Sequence, residues 1–419
     1  MTSQSAGSKA LRRPQAAGPA DFEDEAREAA RHIRWFAETI GPRGSCTSRE
    51  RQAAEYAADQ LAGMGMDDIQ IVSFTGAASA YSRYALISGL AAAAALAALL
   101  LPIPIIATAA ALIQLAAAQA MLSESDFRPN WSRLLIPGRE SQNVVARRAA
   151  PVPSYQTVVL VAHLDSARTP SFNASRRGQR LYNMLFHALF LSFLLAALSL
   201  VLAILSATPI APVLIATTVL QFFTLALFLS LDRAPYSPGA YDNASGAACV
   251  LATASHLQRR PLPATELWVC LTGCEETGAG GAVDLYREYG THWQAPWVIN
   301  LDQLGYEQIY LRTEEGLLRR RRTEDECISI AGAVAHKLPE IQLSLRPSSA
   351  FSDAAPAYQR GLRALSFGTN PLDPDVQTHR HRMTDIPEYL STAALRANLY
   401  YIWNLIRELD NGAQEVGNG

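Results

Sequence analysis

Val158–Asp165 reads VVLVAHLD, an apolar run of strand length that ends in a histidine and an aspartate two positions apart. Side chains at i and i+2 of a strand share a face. The Asp165 carboxylate is therefore placed to orient a His163 imidazole that binds a metal.

Outward from this run, the polar part of the chain alternates helices and strands. Asp21 to Leu61 predicts two helices separated by the turn Gly41-Pro42-Arg43-Gly44, with a strand at Ile69 to Phe74. Further strands are predicted at Asn143 to Arg147, Thr157 to Ala162, Glu266 to Thr272, Trp297 to Leu301 and Arg363 to Phe367. Helices are predicted at Ser245 to Gln258 and Gly280 to Tyr289. This alternation predicts an α/β fold, with a mixed, centrally parallel sheet flanked by helices.

Ligands in such sheets gather at the carboxyl ends of the strands, and the polar residues fall there. One strand delivers His163 and Asp165, the next is followed by Glu275 and Glu276, and a third delivers Asp302. The strand at 363–367 leads into the segment with His379 and His381, and Asp242 stands just before a helix. A single His-x-Asp or a single Glu pair is ordinary; their joint placement at strand ends marks a site.

Two apolar blocks interrupt this pattern. Tyr84 to Leu122 is nearly all Ala, Leu and Ile, broken by Pro102-Ile103-Pro104. As one helix it would run to about 58 Å, roughly twice a hydrocarbon core, so two helices with a Pro turn fit better. Met184 to Leu231 repeats the arrangement, with its break at Thr208-Pro209-Ile210-Ala211-Pro212. The expectation is four transmembrane helices in two hairpins. Arg83, Arg128, Arg133 and Arg139 border the first hairpin, and Arg176, Arg177, Arg180 and Arg233 the second, while the connecting turns carry none. The positive-inside rule then puts both hairpin bases and the polar domain in the cytoplasm, an integral protein of a bacterial inner membrane with the lipid bilayer as partner.

The composition agrees. A net charge of -2 over 419 residues, without a long basic tract, gives no reason to expect a nucleic-acid partner. Five cysteines without zinc-finger spacing argue against a disulfide framework and for a reducing compartment, and Cys274 reads as a small filler thiol. Arg319 to Arg322 reads as a solvated turn or hairpin. Residues 1–21 lack the apolar core of a signal peptide and are expected as a disordered tail, as are 411–419. The expected division is 22–82, 123–180 and 233–410 for the polar domain, with hairpins at 83–122 and 181–232.

Two histidines and three acidic ligands with one further carboxylate suit two zinc ions. Two metals can clamp the attacking and the developing oxygen, while a carboxylate not bound to metal moves the proton. Peptide-bond hydrolysis fits this set, with a peptide as substrate.

The segments His163-Leu164-Asp165, GAYDNASGAA from Gly239, CEETGAGGA from Cys274, INLDQLG from Ile299 and HRMTDIPEYL from His381 resemble the co-catalytic dizinc aminopeptidase family, metallopeptidase family twenty-eight. The similarity extends to IGPRGS from Ile40 and SDAAPAYQRGLRALSF from Ser352, and so covers nearly all the polar chain in order. The resemblance implies that Asp242 bridges the metals, with His163 and Asp302 completing one zinc site and Glu276 and His381 the other. Glu275 would be the general base and Asp165 would orient His163.

Two departures stand out. The family's last ligand normally stands in His-Thr-Pro-x-Asp, whereas this chain has His381-Arg382-Met383-Thr384-Asp385 with His379 close by. Spacing to Asp385 favours His381, with His379 as the alternative. The second hairpin is inserted between Asp165 and Asp242, where the family has a short loop; because His163 and Asp242 must meet, the insertion must cross the membrane an even number of times. The resemblance implies a membrane-anchored zinc aminopeptidase. A carboxypeptidase or glutaminyl cyclase of the same family, or a silent scaffold with a peptidase fold, remains the alternative.

Overall fold

The computed structural model describes residues 18–150, 154–206 and 211–418. Helices α1 (Glu23–Arg34) and α2 (Ser48–Gly63) lead to strand β1 (Asp67–Gly76), then to the hairpin α3 (Ser82–Leu100) and α4 (Pro104–Glu124) and the short α5 (Ser132–Leu135). Strands β2 (Arg139–Arg148) and β3 (Gln156–His163) precede the second hairpin, α6 (Arg176–Ser206) and α7 (Ala211–Leu231). There follow α8 (Ser245–Arg259), β4 (Thr265–Thr272), α9 (Gly280–Tyr289), β5 (Trp297–Leu301), β6 (Gln308–Glu315) and β7 (Arg321–Arg322). The chain closes with α10 (Asp325–His336), β8 (Leu343–Pro347), α11 (Ala354–Gln359), β9 (Arg363–Asn370) and α12 (Thr392–Asn418).

Among the described residues one sheet runs β1-β2-β4-β3-β5-β9-β6-β7, with β8 beside β6. Strands β4, β3, β5 and β9 are mutually parallel, with antiparallel β2 and β6 at their flanks. This is the mixed, centrally parallel sheet that the strand and helix alternation predicts. Every residue of β3 is buried, because both faces are covered. Val158, Leu160 and Ala162 pack into the larger core with α1, α2, α8 and α12, whereas Val159 and Val161 join α9 and α11 on the opposite face. The run VVLVA is thus apolar on both sides because it has no solvent side.

The glycine in DNASG has a steric reason. A Cβ at Gly246 would fall 2.1 Å from the Leu301 carbonyl oxygen. Its absence lets the first turn of α8 press against the end of β5, which brings Asp242 beside Asp302.

The four apolar helices form a closed square: α3 packs on α4 and α7, and α6 packs on α4 and α7. All four are long and apolar enough to cross a membrane. Small residues such as Ala91, Ala95, Ala117 and Ala196 are buried between them, permitting close approach of the backbones. The polar residues also point inward. Gln114 of α4 and Gln221 of α7 bond to each other, Gln221 reaches Ser192 of α6 at 3.3 Å, and Ser88 of α3 meets Thr224 of α7 at 2.7 Å. Many leucines and isoleucines face outward, with Leu100 71% and Ile105 76% exposed. Polar inside and apolar outside is the inverse of a water-soluble bundle.

Some boundaries differ from the sequence-based expectations. Helix α6 begins at Arg176 rather than near Met184 and spans 31 residues. At about 46 Å it is longer than a hydrocarbon core is thick, and its basic first turns continue the apolar part as one rod. The tail expected from 411 is instead helical to Asn418, as the end of α12. Pro19–Phe22 form a helical turn with Phe22 buried, while the rest of the expected N-terminal tail, 1–17, and the Thr208-Pro209-Ile210 part of the second break lie outside the described residues. Arg319–Arg322 enters the short hairpin of β6 and β7.

Candidate active site

The parallel strands all end at one edge, and the site stands there. His163 closes β3, Glu275 and Glu276 follow β4, and Asp302 follows β5. Asp242 lies in the turn before α8, and His381 on the loop between β9 and α12, at a left-handed φ of 55°.

The Asp242 carboxylate lies between the two histidines. Its Oδ1 is 3.3 Å from His163 Nε2 and its Oδ2 is 3.0 Å from His381 Nε2. His163 Nε2 also stands 3.6 Å from Asp302 Oδ1, and His381 Nε2 stands 3.3 Å from Glu276 Oε2. Among the described residues three triads can each hold a cation, His163 with Asp242 and Asp302, Asp242 with Glu276 and His381, and His163 with Glu275 and Glu276, the ligand atoms of each lying within 4.8 Å of one another. Glu275 Oε2 faces the same space, 3.8 Å from His163 Nε2.

The electrostatics show a carboxylate cluster short of positive charge. Burial raises Asp242, but Arg380 and the two histidines overcome this and hold it well below the usual carboxylate range. Burial likewise raises Asp302, and the Arg312 guanidinium at 2.7 Å reverses the shift. Glu275 goes well above its ordinary value, through burial and the carboxylates of Glu276, Asp353 and Asp302, which outweigh His163. Asp353 is pushed up to about 7, chiefly by burial. Buried Asp302 Oδ1, Glu276 Oε1 and His381 Nε2 have no hydrogen-bond partner among the described residues. Unpartnered imidazole and carboxylate atoms in adjoining triads fit a zinc ligand set.

His379 stands apart: its ring stacks on Tyr389 at 3.7 Å and its Nδ1 meets Thr384 Oγ1 at 2.8 Å. Of the two histidines, His381, which the spacing to Asp385 favours, is the one that faces Asp242. Asp385 explains that spacing, because its two oxygens accept the amides of Tyr241 and Asp242 at 2.6 and 3.1 Å. It ties the His381 loop to the turn that carries Asp242.

Asp165 touches more than His163. The imidazole Nδ1 is nearest the Asp165 main-chain oxygen, at 3.1 Å, with carboxylate Oδ1 at 3.4 Å. The carboxylate itself accepts the amide of Glu275 through Oδ1 at 3.0 Å and that of Glu276 through Oδ2 at 3.1 Å. Ser45 donates to Oδ2 as well, at 2.6 Å.

Sequence reasoning missed the residues that brace this set. Arg43 is fully buried and donates to the carbonyls of Leu164, Phe36, Pro238 and Gly239 at 2.7 to 2.9 Å. It thereby clamps the chain just before and just after the second hairpin. The neighbouring Gly44 has no room for a side chain, since a Cβ would fall 2.2 Å from the Tyr236 ring. Gln303 donates to Asp242 Oδ2 at 3.1 Å. Cys274, expected as a filler thiol, lies with its Sγ 3.3 Å from that of Cys46. The IGPRGS turn was the only visible signal for Arg43, and nothing in spacing pairs Cys46 with Cys274.

An open cleft of about 410 Å³ adjoins the cluster and reaches Glu276 and His381. Its other walls include Tyr81, which immediately precedes α3, Arg168, which precedes α6, and Tyr236, which follows α7. Tyr81 stacks on Phe228 of α7, and Arg168 pairs with Asp232 at 3.4 Å while lying over the Tyr236 ring. The segments entering and leaving the apolar helices thus form one side of the cleft.

Residues 227–406 match the family model of Peptidase family M28. Among solved structures, the chain is similar to BSAP, a zinc aminopeptidase from Bacillus subtilis, at 15% identity and a TM-score of 0.54, over 92% of this chain and 95% of that one. It is also similar to a leucine aminopeptidase precursor from Bacteroides thetaiotaomicron at 12% identity and a TM-score of 0.53, over 91% and 96% of the two chains. A glutaminyl cyclase from the same organism, bound to N-acetylhistamine, gives 12% identity and a TM-score of 0.53, over 91% and 97%. No curated protein matches the sequence.

Proposed function

We propose that this chain, a zinc metallopeptidase of family M28, is a membrane-anchored aminopeptidase with a two-zinc site. One observation carries the reading: the two oxygens of Asp242 face different histidines, at 3.3 and 3.0 Å. A bridging carboxylate needs that placement. His163 and Asp302 would hold one ion, Glu276 and His381 the other, with Asp242 shared between them.

Zinc bound there supplies Lewis-acid polarisation of the scissile carbonyl and acidifies water. The residues of the chain do the rest. Glu275 takes a proton from the attacking water and passes it to the leaving amine; its Oε2 stands 3.8 Å from His163 Nε2, facing the space the ions would share. Asp165 fixes the backbone of Glu275 and Glu276, so that one side chain serves as base while its neighbour serves as ligand. Arg312 and Arg380 offset the negative charge around Asp302 and Asp242.

The outward apolar surface of the four helices supports anchoring in a bilayer, and the arginines at the hairpin bases support a cytoplasmic catalytic domain. Because Tyr81 and Tyr236 line the cleft next to the helix ends, peptides are cleaved close to the membrane surface.

The test is elemental analysis of the purified full-length protein combined with amino-acid release from peptides with free or blocked N-termini. Two zincs and cleavage of free N-termini alone are expected. Release from blocked peptides would make the enzyme a carboxypeptidase, and a metal-free, inert protein would make it a scaffold.

A further inference from the structure

Cys46 and Cys274 are 228 residues apart in sequence, and their sulfurs stand 3.3 Å apart. Both thiols are free; Cys46 is half-buried and Cys274 buried. One carboxylate holds both ends of the pair. Glu50 Oε2 accepts the Cys46 amide at 2.8 Å, and Glu50 Oε1 accepts the Cys274 amide at 2.9 Å. Both cysteines have left-handed backbone, with φ of 59° and 54°, a conformation that side-chain-bearing residues seldom adopt.

Each cysteine also adjoins an arm of the catalytic brace. Ser45, beside Cys46, donates to Asp165 Oδ2, and Glu275, beside Cys274, donates its amide to Asp165 Oδ1. Ser45 lines the open cleft, so a small molecule in the cleft comes close to Cys46.

We propose that Cys46 and Cys274 are a redox modification site: a low-molecular-weight disulfide such as oxidised glutathione converts the pair to an intramolecular disulfide, which displaces Glu275. The half-buried Cys46 sulfur attacks one sulfur of the oxidant and releases a first small thiol, leaving a mixed disulfide. The Cys274 sulfur then attacks the Cys46 sulfur and releases the second. Two protein S–H bonds are lost and one S–S bond is formed, while two electrons and two protons leave on the two small thiols. Since a disulfide bond spans about 2.05 Å, closure draws the two turns together by roughly 1 Å. Asp165 links both turns, so the displacement reaches the Glu275 backbone. The effect on turnover rests on the peptidase reading above; formation of the bond does not.

The experiment uses the full-length, zinc-loaded protein in detergent, exposed to oxidised glutathione, alkylated and mapped by peptide mass, with zinc content and peptide turnover measured in parallel. A peptide bridged through Cys46 and Cys274 is expected, with zinc retained and kcat lowered about 10- to 100-fold, as a misplacement of roughly 1 Å entails. Dithiothreitol restores turnover. Cys46→Ala keeps the turnover of the reduced enzyme and loses the response. Absence of the bridged peptide, or a bridge that leaves kcat unchanged, overturns the proposal. If the reduced protein cleaves no peptide, the peptidase reading fails, and the peptide map alone upholds or overturns the modification site.

Discussion

The main-chain amide of Glu275 donates to Oδ1 of Asp165 at 3.0 Å, so the residue assigned as proton carrier is held by its backbone while its side chain stays free. The second Asp165 oxygen holds Glu276 in the same way. In Asp165→Asn the amide nitrogen turns a donor toward the Glu276 N–H, leaving that group unpaired at a cost of about 1–3 kcal/mol. The expected result is a fall in kcat of about 10- to 100-fold. Steady-state kinetics of the variant check it, and wild-type kcat would remove the brace from the mechanism.

Glu275→Gln separates the base from the ligands. Turnover is expected to fall about 10²- to 10⁴-fold, with zinc content unchanged by elemental analysis, because Glu275 belongs to neither half of the assigned pair of metal sites. Loss of zinc in this variant would mean that Glu275 is a ligand.

Arg43→Met tests the clamp across the second hairpin. Of the five carbonyls that Arg43 serves, counting that of Gly41, four are in buried contacts, so the variant leaves acceptors unpaired and is expected to lose on the order of 3 kcal/mol. Thermal unfolding in detergent measures this, and Arg43→Lys recovers little of it because a single ammonium cannot span the same five carbonyls. An unchanged Tm would show that the hairpin ends are held elsewhere.

Gln114→Leu and Gln221→Leu test the polar interior of the bundle. Each is expected to cost about 1 kcal/mol, and the double variant less than the sum of the two, because the amides bond to each other as well as to Ala91 and Ser192. Denaturant titration of the four proteins decides it, and additive losses would show that the pair is uncoupled.

Glu25 sets an acid limit on stability. Burial raises its pKa, but bonds from the His256 ring at 2.7 Å and Arg259 at 2.6 Å outweigh it and hold the carboxyl at about 2, below the usual 4.5. A carboxyl lowered in the folded state stabilises fully above its unfolded value and loses that contribution as pH falls toward the folded one. The stability gap between wild type and Glu25→Gln is therefore expected to be constant near neutrality and to shrink between about 4.5 and 2. A gap that persists through that window would show that the ion pair contributes nothing.

The parts of the site that sequence reveals are those built on strand ends. His163, Glu275, Glu276 and Asp302 each follow an apolar run, and strand geometry alone says that such residues share an edge. Asp242 and His381 lie on turns, where only the match to known motifs and the spacing to Asp385 pointed to them. What stayed hidden is what depends on distant pairing. Arg312 lies on β6, whose sequence QIYLRTEE is too polar to stand out, and its contact with Asp302 arises only when β6 pairs with β9. The nearness of Cys46 and Cys274 likewise depends on α2 docking on the sheet, where buried Glu50 reaches both amides. The apolar blocks were legible as two pairs of helices, but the true start of α6 was not, since its first turns are polar and resemble the loop before them.

The insertion of α6 and α7 between His163 and Asp242 has a consequence for biosynthesis. A nascent chain that has completed β3 holds one histidine of the metal pair and none of the carboxylates that complete either triad. Two more apolar helices must be made before Asp242 emerges, and until then Gln114 has no Gln221 to bond. On the proposed reading, lipid insertion would thus precede metallation, and the site would be assembled only once its anchor is in place.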